Sequence, residues 1–384
     1  MRKARFSVRY ESHRIMENPV QDVRQVEVIA TNLKWRFSGV TSTILALLPV
    51  QAKRVRIAAL GPNLPPKWPR ITWSGLFRHA WRSPPGRAFR IWHARRNIEM
   101  LAGLILRSVL RMPLKLVFTS AAQRRHSRWT RFLLARMDAV IAVSPEAASH
   151  LDVPCEVVLH GVDTTRYRPA EDRDTQWAAT GLPGRYGIGV FGRVRAQKGT
   201  DRFVDVMCRL LPRYPDFTAV IVGAITPDQR RFAAALHAKV STAGLGKRIV
   251  LLQELPADDV PVWLRRVTIV VGPQVWEGFG LVPLEAMASG AAVVATRVGA
   301  ARHLIAEGET GYLVEPDDMA GLEARIESLM RDPAAAAAMG RRGRAHVVQR
   351  FSIEREAVGI QGVYERLWAA IPAGRDRPGP GPAH

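Results

Sequence analysis

Twelve short apolar runs constrain the fold of this chain more than any other feature of its sequence. Several of them are nearly continuous in Val, Ile and Leu, which is typical of strands buried on both faces of a parallel sheet. Segments with helical periodicity separate them, which predicts an α/β fold. The runs lie at 26–30, 55–60, 89–92, 115–120, 139–144, 156–160, 187–193, 218–223, 249–254, 267–273, 291–296 and 311–316.

The runs form two series of six, separated by a stretch rich in Gly, Pro and charge. The chain has 384 residues, more than one ordinary domain needs. We therefore predict two doubly wound, Rossmann-like domains facing a central cleft, with ligands at the carboxyl ends of the strands. The predicted parts are an N-terminal extension (1–24), an N-terminal domain (25–165), a linker (166–185), a C-terminal domain (186–350), a C-terminal helix packing back on the first domain (351–370) and a disordered tail (371–384).

The net charge of the chain indicates which class of partner it binds. It has 56 Lys and Arg against 34 Asp and Glu, a formal net charge of +22, so we expect an anionic partner such as nucleic acid, a membrane surface or a phosphorylated substrate. Its only cysteines, Cys155 and Cys208, cannot build a disulfide framework or a cysteine-based zinc site. With neither an apolar signal region nor a membrane-spanning run, we expect a cytoplasmic protein.

Two acids, Glu277 and Glu285, stand eight positions apart around a glycine-rich turn. We predict a strand, a loop, and then a helix with Pro283 as its first residue and Gly290 as its terminator, which places Glu285 in the first turn. A carboxylate there can accept hydrogen bonds from a ribose diol at a strand's carboxyl end. The alternative is that Glu285 only stabilises the positive end of the helix.

A second candidate site is the basic loop that carries Arg193 and Lys198. The loop follows a predicted strand and precedes a helix that Thr200 or Asp201 could cap. Two cations at a helix N-terminus suit a diphosphate. The alternative is a solvated basic loop in a very basic protein.

Two further candidates are weaker. Gly39 begins a predicted helix after the first strand, and its backbone amide could meet a phosphate or an acceptor. His93 ends the third predicted strand, where it would face the cleft. The alternative for Gly39 is a loop without a binding role. The alternative for His93 is a polar residue at a strand end whose hydrogen bonds are made within the protein. We consider each alternative as good as the functional interpretation.

Together these motifs resemble the retaining glycosyltransferases of family 4, which have the GT-B fold. Glu277 and Glu285 match the family's E-x7-E motif, and Arg193 and Lys198 match its paired diphosphate-binding cations. The segment HGVDTTRYRP, which begins at His160, is similar to the family's N-G-V-D segment. The resemblance covers roughly residues 25–370 and is strongest from 155 to 316.

The resemblance implies a first domain that binds the acceptor and a second that binds a nucleotide-sugar donor, with no metal and no other cofactor. It implies that Glu285 holds the ribose and that Arg193 and Lys198 neutralise the departing diphosphate. Glu277 would bind the transferred sugar, and His93 would lie near the reacting carbon. The remaining implied donor-binding residues are Gly39, Gly278, Phe279, Gly280 and Leu281.

The sequence departs from the family pattern at several positions. His160 replaces the usual Asn, Ser38–Gly39 replaces a Gly-Gly pair, and Arg302 and His303 stand where the family often has Pro-Glu. Asp172 and Asp174 form an Asp-x-Asp, but in the predicted linker, so we interpret them as a solvated loop rather than a metal site.

A basic face is predicted for the first domain. Residues 70–136 contain 15 Lys or Arg and one acid, Glu99, with aromatic residues interleaved: Trp68, Trp73, Phe77, Trp81, Phe89 and Trp92. A basic helix over 123–136 would offer Trp129, Phe132, Leu133 and Leu134 to an apolar surface. We predict that this face lies on anionic lipid of the inner membrane or on a phosphorylated lipid acceptor, the alternative being a solvated Arg-rich face. The candidate residues are Arg95, Arg96, Arg124, Arg125, Arg128 and Trp129.

Segments such as RIWHARRNIEMLAG, from Arg90, are similar to one subgroup, the bacterial lipopolysaccharide-core mannosyltransferases. This resemblance implies GDP-mannose as donor and an inner-core sugar on lipid A as acceptor. Two other functions stay open: a related hexosyltransferase or epimerase that uses a UDP-sugar, and a basic nucleic-acid-binding protein. The second leaves the E-x7-E motif unexplained, and the sequence contains neither an RNP-like motif nor a helix-turn-helix.

Overall fold

The computed structural model describes residues 20–35, 39–62, 64–65 and 68–370. The predicted tail, Ser38 and most of the predicted N-terminal extension lie outside the described residues. The described chain divides into two compact units. Unit 1 holds the residues up to Phe118, Phe132–Ala139 and those from Gln361 onward, and unit 2 holds Thr119–Arg131 and Val140–Ile360.

The first half of the chain forms a six-stranded sheet in the order β2-β1-β3-β4-β5-β6, with parallel pairing between its neighbours β1–β2, β1–β3, β3–β4 and β5–β6. Ile29, Ile91 and Leu116, on three of its central strands, are fully buried. The strands are β1 (Val28–Thr31), β2 (Ile57–Leu60), β3 (Arg90–Ala94), β4 (Leu114–Ser120), β5 (Ala139–Ala142) and β6 (Glu156–Val157).

The helices of this half differ from the prediction in one place. Helix α1 begins at Gly39 as expected, but the basic helix predicted over 123–136 is confined to Arg128–Leu134. Leu133 and Leu134 are buried, so the prediction that they face an apolar surface is wrong. The helices are α1 (Gly39–Gln51), α2 (Trp73–His79), α3 (Asn97–Leu104, followed by a π-helical turn at Ile105–Val109), α4 (Arg128–Leu134) and α5 (Pro145–Ala148).

The second half forms another six-stranded parallel sheet, in the order β12-β11-β10-β7-β8-β9. The chain builds outward from β7 to one side and then returns to build outward from β10, so β7 and β10 flank the topological switch point. Ligands of doubly wound sheets bind at the carboxyl ends of such strands. The strands are β7 (Tyr186–Phe191), β8 (Phe217–Val222), β9 (Ile249–Gln253), β10 (Val267–Gly272), β11 (Ala292–Thr296) and β12 (Tyr312–Val314).

The helices of the second half include one inside the predicted linker. Asp172 caps α6 by accepting hydrogen bonds from the amides of Asp174 and Thr175, and Trp177 on this helix is buried against the backbone of Gly187. Residues 166–185 therefore pack as part of unit 2. The helices are α6 (Arg173–Ala178), α7 (Thr200–Leu210), α8 (Arg230–Thr242), α9 (Val260–Arg266), α10 (Leu281–Ala288), α11 (Ala301–Leu304), α12 (Met319–Arg331), α13 (Pro333–Arg350) and α14 (Ile353–Ala369).

The last turns of α14 complete the core of unit 1. Tyr364 is fully buried, and Trp368, which is also buried, donates a hydrogen bond from Nε1 to the carbonyl of Phe89 at 3.3 Å. Arg87 lies 3.8 Å over the Trp368 ring and pairs with Glu365 at 3.1 Å. Among the described residues, no helix has the length and apolar character required to cross a bilayer.

Candidate functional site

Three loops of unit 2 meet at the carboxyl ends of β7, β10 and β11. The amide of Val275 donates a hydrogen bond to the carbonyl of Gln197 at 3.0 Å, which joins the loop after β7 to the loop after β10. The amide of Ala300 donates to the carbonyl of Phe279 at 2.9 Å, which joins the loop after β11 to the loop after β10. The motifs predicted from sequence in this unit thus lie on adjacent strands at the switch point.

Gly199 fixes how closely the first two loops approach. It has φ +68°, a left-handed conformation that L side chains rarely adopt, and a Cβ placed on it would lie 1.9 Å from the carbonyl oxygen of Pro273. This glycine immediately precedes α7 and is its N-cap, without a side-chain cap. The prediction that Thr200 or Asp201 caps the helix is therefore wrong.

The two cations of the basic loop have different surroundings. The Lys198 ammonium contacts the Glu277 carboxylate, and both side chains are about four-fifths buried, each with 20% of its surface exposed. Arg193 is exposed, and no acid among the described residues pairs with it. One cation is therefore held against an acid of the predicted sugar site, while the other is open to an anion.

The loop after β10 contains two glycines, Gly278 and Gly280, that shape its backbone. Glu277 Oε1 accepts a hydrogen bond from the amide of Gly278 at 3.0 Å, and Gly280 has φ +94° at the N-cap of α10. Helix α10 begins at Leu281, two residues before the predicted start at Pro283. Glu285 consequently lies at the fifth helical position, so the prediction that it belongs to the first turn is wrong. The predicted termination at Gly290 is confirmed by its φ of +73° just beyond the helix.

Glu285 lies in a site of low polarity. Burial raises the pKa of its carboxyl above the ordinary value, and the Tyr167 hydroxyl, which hydrogen-bonds the carboxylate, and the Arg166 charge counteract part of that rise. The same burial, together with the carboxylate, raises the pKa of Tyr167. Since Glu285 is too far along the helix to gain much from its N-terminus, its burial next to a hydrogen-bond donor calls for another explanation, such as a ligand.

Phe279 anchors the loop between its two glycines. Its ring is buried in an apolar cluster that includes Leu284, Ala300 and Leu304. The ring of His160 packs edge-on against it, with ring centroids 4.9 Å apart and an interplanar angle of 82°. His160 is the departure from the family's Asn, and its partner could not be read from the sequence.

The candidates of unit 1 lie at the carboxyl end of β1 and β3. His93 is buried within β3, and its Nδ1 lies 2.5 Å from the hydroxyl of Tyr364 on α14. Burial lowers the pKa of His93 well below its usual range, and the nearby Arg95 charge lowers it further, so the imidazole is neutral at physiological pH. Gly39 is the first residue of α1, with open space around its Cα.

The predicted acceptor or membrane residues divide into two groups. Arg96 is bound inside unit 1, donating to Glu99 at 2.8 Å, to Asn32 at 3.0 Å and to Thr41 at 3.0 Å. Arg95 is half-buried and donates to Thr43 at 3.3 Å. The other predicted residues are all exposed: Arg124, Arg125, Arg128 and Trp129.

Comparison with known proteins identifies the family. Residues 172–346 match the family described as glycosyl transferases group 1. A lipopolysaccharide core biosynthesis mannosyltransferase, LpcC of Rhizobium leguminosarum bv. viciae, is 51% identical over 90% of this chain and 98% of its own length. LpsB of Rhizobium meliloti, of the same description, is 49% identical over 90% of this chain and 99% of its own length.

The chain belongs to the group 1 glycosyltransferases.

The fold of this glycosyltransferase also matches a solved structure. HepE of Anabaena, in complex with UDP and glucose, superposes with a TM-score of 0.74 at 19% identity, covering 90% of this chain and all of the other. The α/β prediction of two Rossmann-like domains of the GT-B type is confirmed by this match and by the two parallel sheets.

Two candidate functional residues of this glycosyltransferase were not predicted from the sequence motifs. Tyr167, which hydrogen-bonds Glu285, and Tyr364, which contacts His93, were missed because each is distant in sequence from its partner. In the described part of the chain, no three His, Cys, Asp or Glu side chains lie close enough to hold a metal ion together. Asp172 instead caps α6, and Asp174 pairs with Arg185 at 2.6 Å.

Proposed function

We propose that this glycosyltransferase moves mannose from GDP-mannose onto an inner-core sugar of lipopolysaccharide, with retention of configuration and without a metal. The observation that carries the proposal is the extent of its similarity to LpcC and LpsB, about half identical along 98% and 99% of their lengths. A match of that length includes the donor residues and the parts of the chain that an acceptor would contact.

The donor site supports a nucleoside diphosphate. Arg193 pairs with no acid among the described residues, Lys198 contacts the Glu277 carboxylate, and both cations precede the N-terminus of α7 at the switch point. Cations and a helix N-terminus both favour an anion. The half-buried Glu285, held by Tyr167, provides an acceptor for the ribose hydroxyls, and Glu277 with the amides of the glycine-rich turn provides partners for the sugar.

The chemistry follows from this arrangement. The bond between the anomeric carbon and the diphosphate oxygen breaks, and the bond to the acceptor oxygen forms on the same face. The departing phosphate oxygen takes the acceptor's proton. Negative charge grows on the diphosphate as it leaves, and Arg193 and Lys198 stabilise that charge from fixed positions, a role that a metal ion fills in other enzymes.

The first test is calorimetric binding of GDP-mannose, beside UDP-glucose and UDP-N-acetylglucosamine. We expect selective binding of GDP-mannose that Glu285→Ala abolishes. Binding of a UDP-sugar instead would keep the site and discard mannose. Binding of none of the three by folded protein, with salt-dependent retention on DNA, would favour the nucleic-acid alternative.

The second test is transfer. Purified enzyme, GDP-mannose and a lipid A–core acceptor that lacks the mannose should give an α-linked product by NMR, since the donor is α-linked. Transfer in excess EDTA should equal transfer without it. A β-linked product, or activity restored only by a divalent cation, would overturn the corresponding part of the proposal.

We also propose that unit 1 binds an anionic membrane surface through an aromatic patch on and beside α2. Trp73, Phe77 and Trp81 expose 40%, 46% and 47% of their surfaces at four-residue spacing, and exposed Arg78 and Arg82 lie beside them. Aromatic rings beside arginines are typical of interfacial binding to anionic lipid. Two other aromatic residues of the predicted face, Phe89 and Trp92, are buried.

The only acid of residues 70–136 does not offset the charge of this patch, because Glu99 is fully buried and paired with Arg96. Vesicle sedimentation tests the proposal. Arg78→Glu with Arg82→Glu should abolish binding to phosphatidylglycerol vesicles. The control is Arg341→Glu with Arg350→Glu, two exposed arginines of α13 whose reversal changes the net charge equally. Equal loss in both variants would show that net charge, and not this patch, binds the membrane.

A further inference from the structure

A buried histidine, His160, contacts the loop after β10 (residues 273–280, the donor loop) and has no role in the function proposed above. His160 Nδ1 donates to Glu356 Oε1 at 2.7 Å, and the second oxygen of Glu356 accepts from the amide of Gly161 at 2.8 Å. Both side chains are about 95% buried. A buried carboxylate is costly unless its oxygens are satisfied, and here two donors fix its position and, through it, the plane of the His160 ring.

The fixed ring of His160 packs against the donor loop. Its edge meets the face of Phe279 at a centroid separation of 4.9 Å, the favourable arrangement for two aromatic rings. Phe279 lies between Gly278 and Gly280, so its neighbours in sequence add no side-chain contacts that would hold the backbone. The ring of Phe279 is therefore the main anchor of the turn that follows Glu277.

The backbone of Phe279 is held from the other side as well. Its carbonyl accepts the amide hydrogen bond of Ala300, and a Cβ on Gly299 would lie 2.7 Å from that carbonyl oxygen. Phe279 is thus held at two points, its carbonyl by Ala300 and its ring by the contact with His160. A shift of the ring away from its present place would move the Cα of Phe279 and, with it, the amides of the turn.

We propose that His160 is a positioning residue for the donor sugar: held by Glu356, it sets the orientation of Phe279 and thereby of the amides that meet the transferred sugar. This inference rests on the proposed function, which places the sugar at this turn. The cations lie on the loop after β7, and Glu285 lies at the fifth position of α10, beyond the turn, so we expect His160 to act mainly on the sugar and not on the nucleoside diphosphate.

The ratio of GDP-mannose affinity to GDP affinity therefore tests the proposal, because a purely structural role of His160 would change both affinities alike. His160→Ala should weaken GDP-mannose binding about fivefold, the scale of one aromatic pair contact, and leave GDP binding within about twofold. His160→Asn retains a donor for Glu356 but loses the ring, so it should fold, with an unfolding temperature lowered only by the lost ring contact, and show the same selective loss. That variant keeps the test valid if His160→Ala fails to fold.

The chain offers a matched control. His346, on α13, packs against Phe351 at a centroid separation of 5.2 Å in the same unit. His346→Ala should leave the ratio of GDP-mannose to GDP affinity unchanged. A double-mutant cycle of His160→Ala with Phe279→Leu completes the design, since two residues that act through one contact should show strongly non-additive losses.

The experiment is calorimetry of the full-length protein and these variants with GDP-mannose and GDP. A selective loss for the sugar nucleotide in both His160 variants, non-additive with Phe279→Leu, supports the proposal. Equal losses for both ligands, no loss, or additive losses overturn it. Wild-type binding separates the two hypotheses: if the wild type binds UDP-glucose instead, the donor assignment fails and the same comparison is made with UDP-glucose and UDP.

Discussion

Replacing Gly199 by alanine tests whether the close approach of two loops positions the cations that we propose bind the diphosphate. A Cβ at this position would lie 1.9 Å from the Pro273 carbonyl oxygen and 2.6 Å from its carbon. Ordinary contact begins near 3.4 Å, so the backbone must move by about 1.5 Å. Lys198 is the adjacent residue and moves with it.

The expected cost has two parts. The left-handed conformation costs an L residue about 1–2 kcal/mol, and displacement of the loop breaks the hydrogen bond from Val275 to Gln197, worth about 1 kcal/mol. We therefore expect Gly199→Ala to lower the free energy of unfolding by about 2–3 kcal/mol. A misplacement on the scale of 1 Å costs about 100-fold in catalysis, so we expect a fall of that size in transfer rate.

Gly244 provides the control. It has φ +69°, nearly the same as Gly199, but a Cβ there meets nothing within 4 Å. Gly244→Ala should therefore show only the conformational cost, about 1–2 kcal/mol, with normal GDP binding and transfer. The measurements are urea unfolding, GDP calorimetry and transfer rate for both variants. If the two variants behave alike, or if Gly199→Ala binds GDP normally, the close approach does not position Lys198 and the reasoning is refuted.

Four single side chains each give a further prediction. Because burial raises the pKa of Glu285, its ionisation destabilises the folded state as pH rises above about 4.3. Glu285→Gln should thus unfold at a higher temperature than wild type at pH 7, with no such gain near pH 4, while donor affinity falls about 10- to 100-fold; a loss of stability at pH 7 would contradict this. Tyr364→Phe should lower the free energy of unfolding by about 1 kcal/mol in urea titrations, because it removes the hydrogen bond to His93. Because the pKa of His93 is lowered, wild-type stability should also fall as pH drops below about 6.5, and persistence of that entire slope in His93→Asn would refute the assignment. Arg193→Ala should leave the unfolding temperature unchanged, since the side chain is exposed, yet reduce the transfer rate about 100- to 1,000-fold; intact activity would exclude Arg193 from charge stabilisation.

The sheets were predictable because most of their strands are buried on both faces. Each of the twelve apolar runs overlaps one observed strand, from Val28–Thr31 to Tyr312–Val314. Burial on both faces leaves few polar positions in a run, so the apolar pattern can be recognised without any knowledge of neighbouring strands. Helix α2 was missed for the opposite reason: with Trp73 and Phe77 exposed and Leu76 buried, its apolar residues do not mark a single inward face.

Residues of the site were predictable only where they belong to a local motif. Glu277, Glu285, Arg193 and Lys198 are grouped in short segments, and the sheet order brings those segments together. The start of α10 was misplaced because Pro283 is favourable at the first helical position but also fits the third, where its missing N–H is still not required. Trp177 sits in a stretch of linker-like composition, and only the space over Gly187 explains its burial.

The partners of His160 and His93 were beyond sequence reasoning. Glu356 follows His160 by 196 residues, and Tyr364 follows His93 by 271. No local rule of spacing or periodicity applies over such distances in sequence. Both partners lie on α14, and the amphipathic pattern of this helix predicts that one face is buried but not what that face contacts. Contacts of this kind depend on the path of the chain, which the order of the strands does not fix.

The position of the last turns of α14 at the end of the chain has a consequence for folding during synthesis. Unit 1 lacks its buried Tyr364 and Trp368 until the last part of the chain has left the ribosome, about 220 residues after Ala139. At synthesis rates of about 5–20 residues per second, that interval is roughly 10–45 s. During it the polypeptide carries an unfinished apolar core while unit 2 is still being synthesised, which makes the nascent chain a natural client for chaperones.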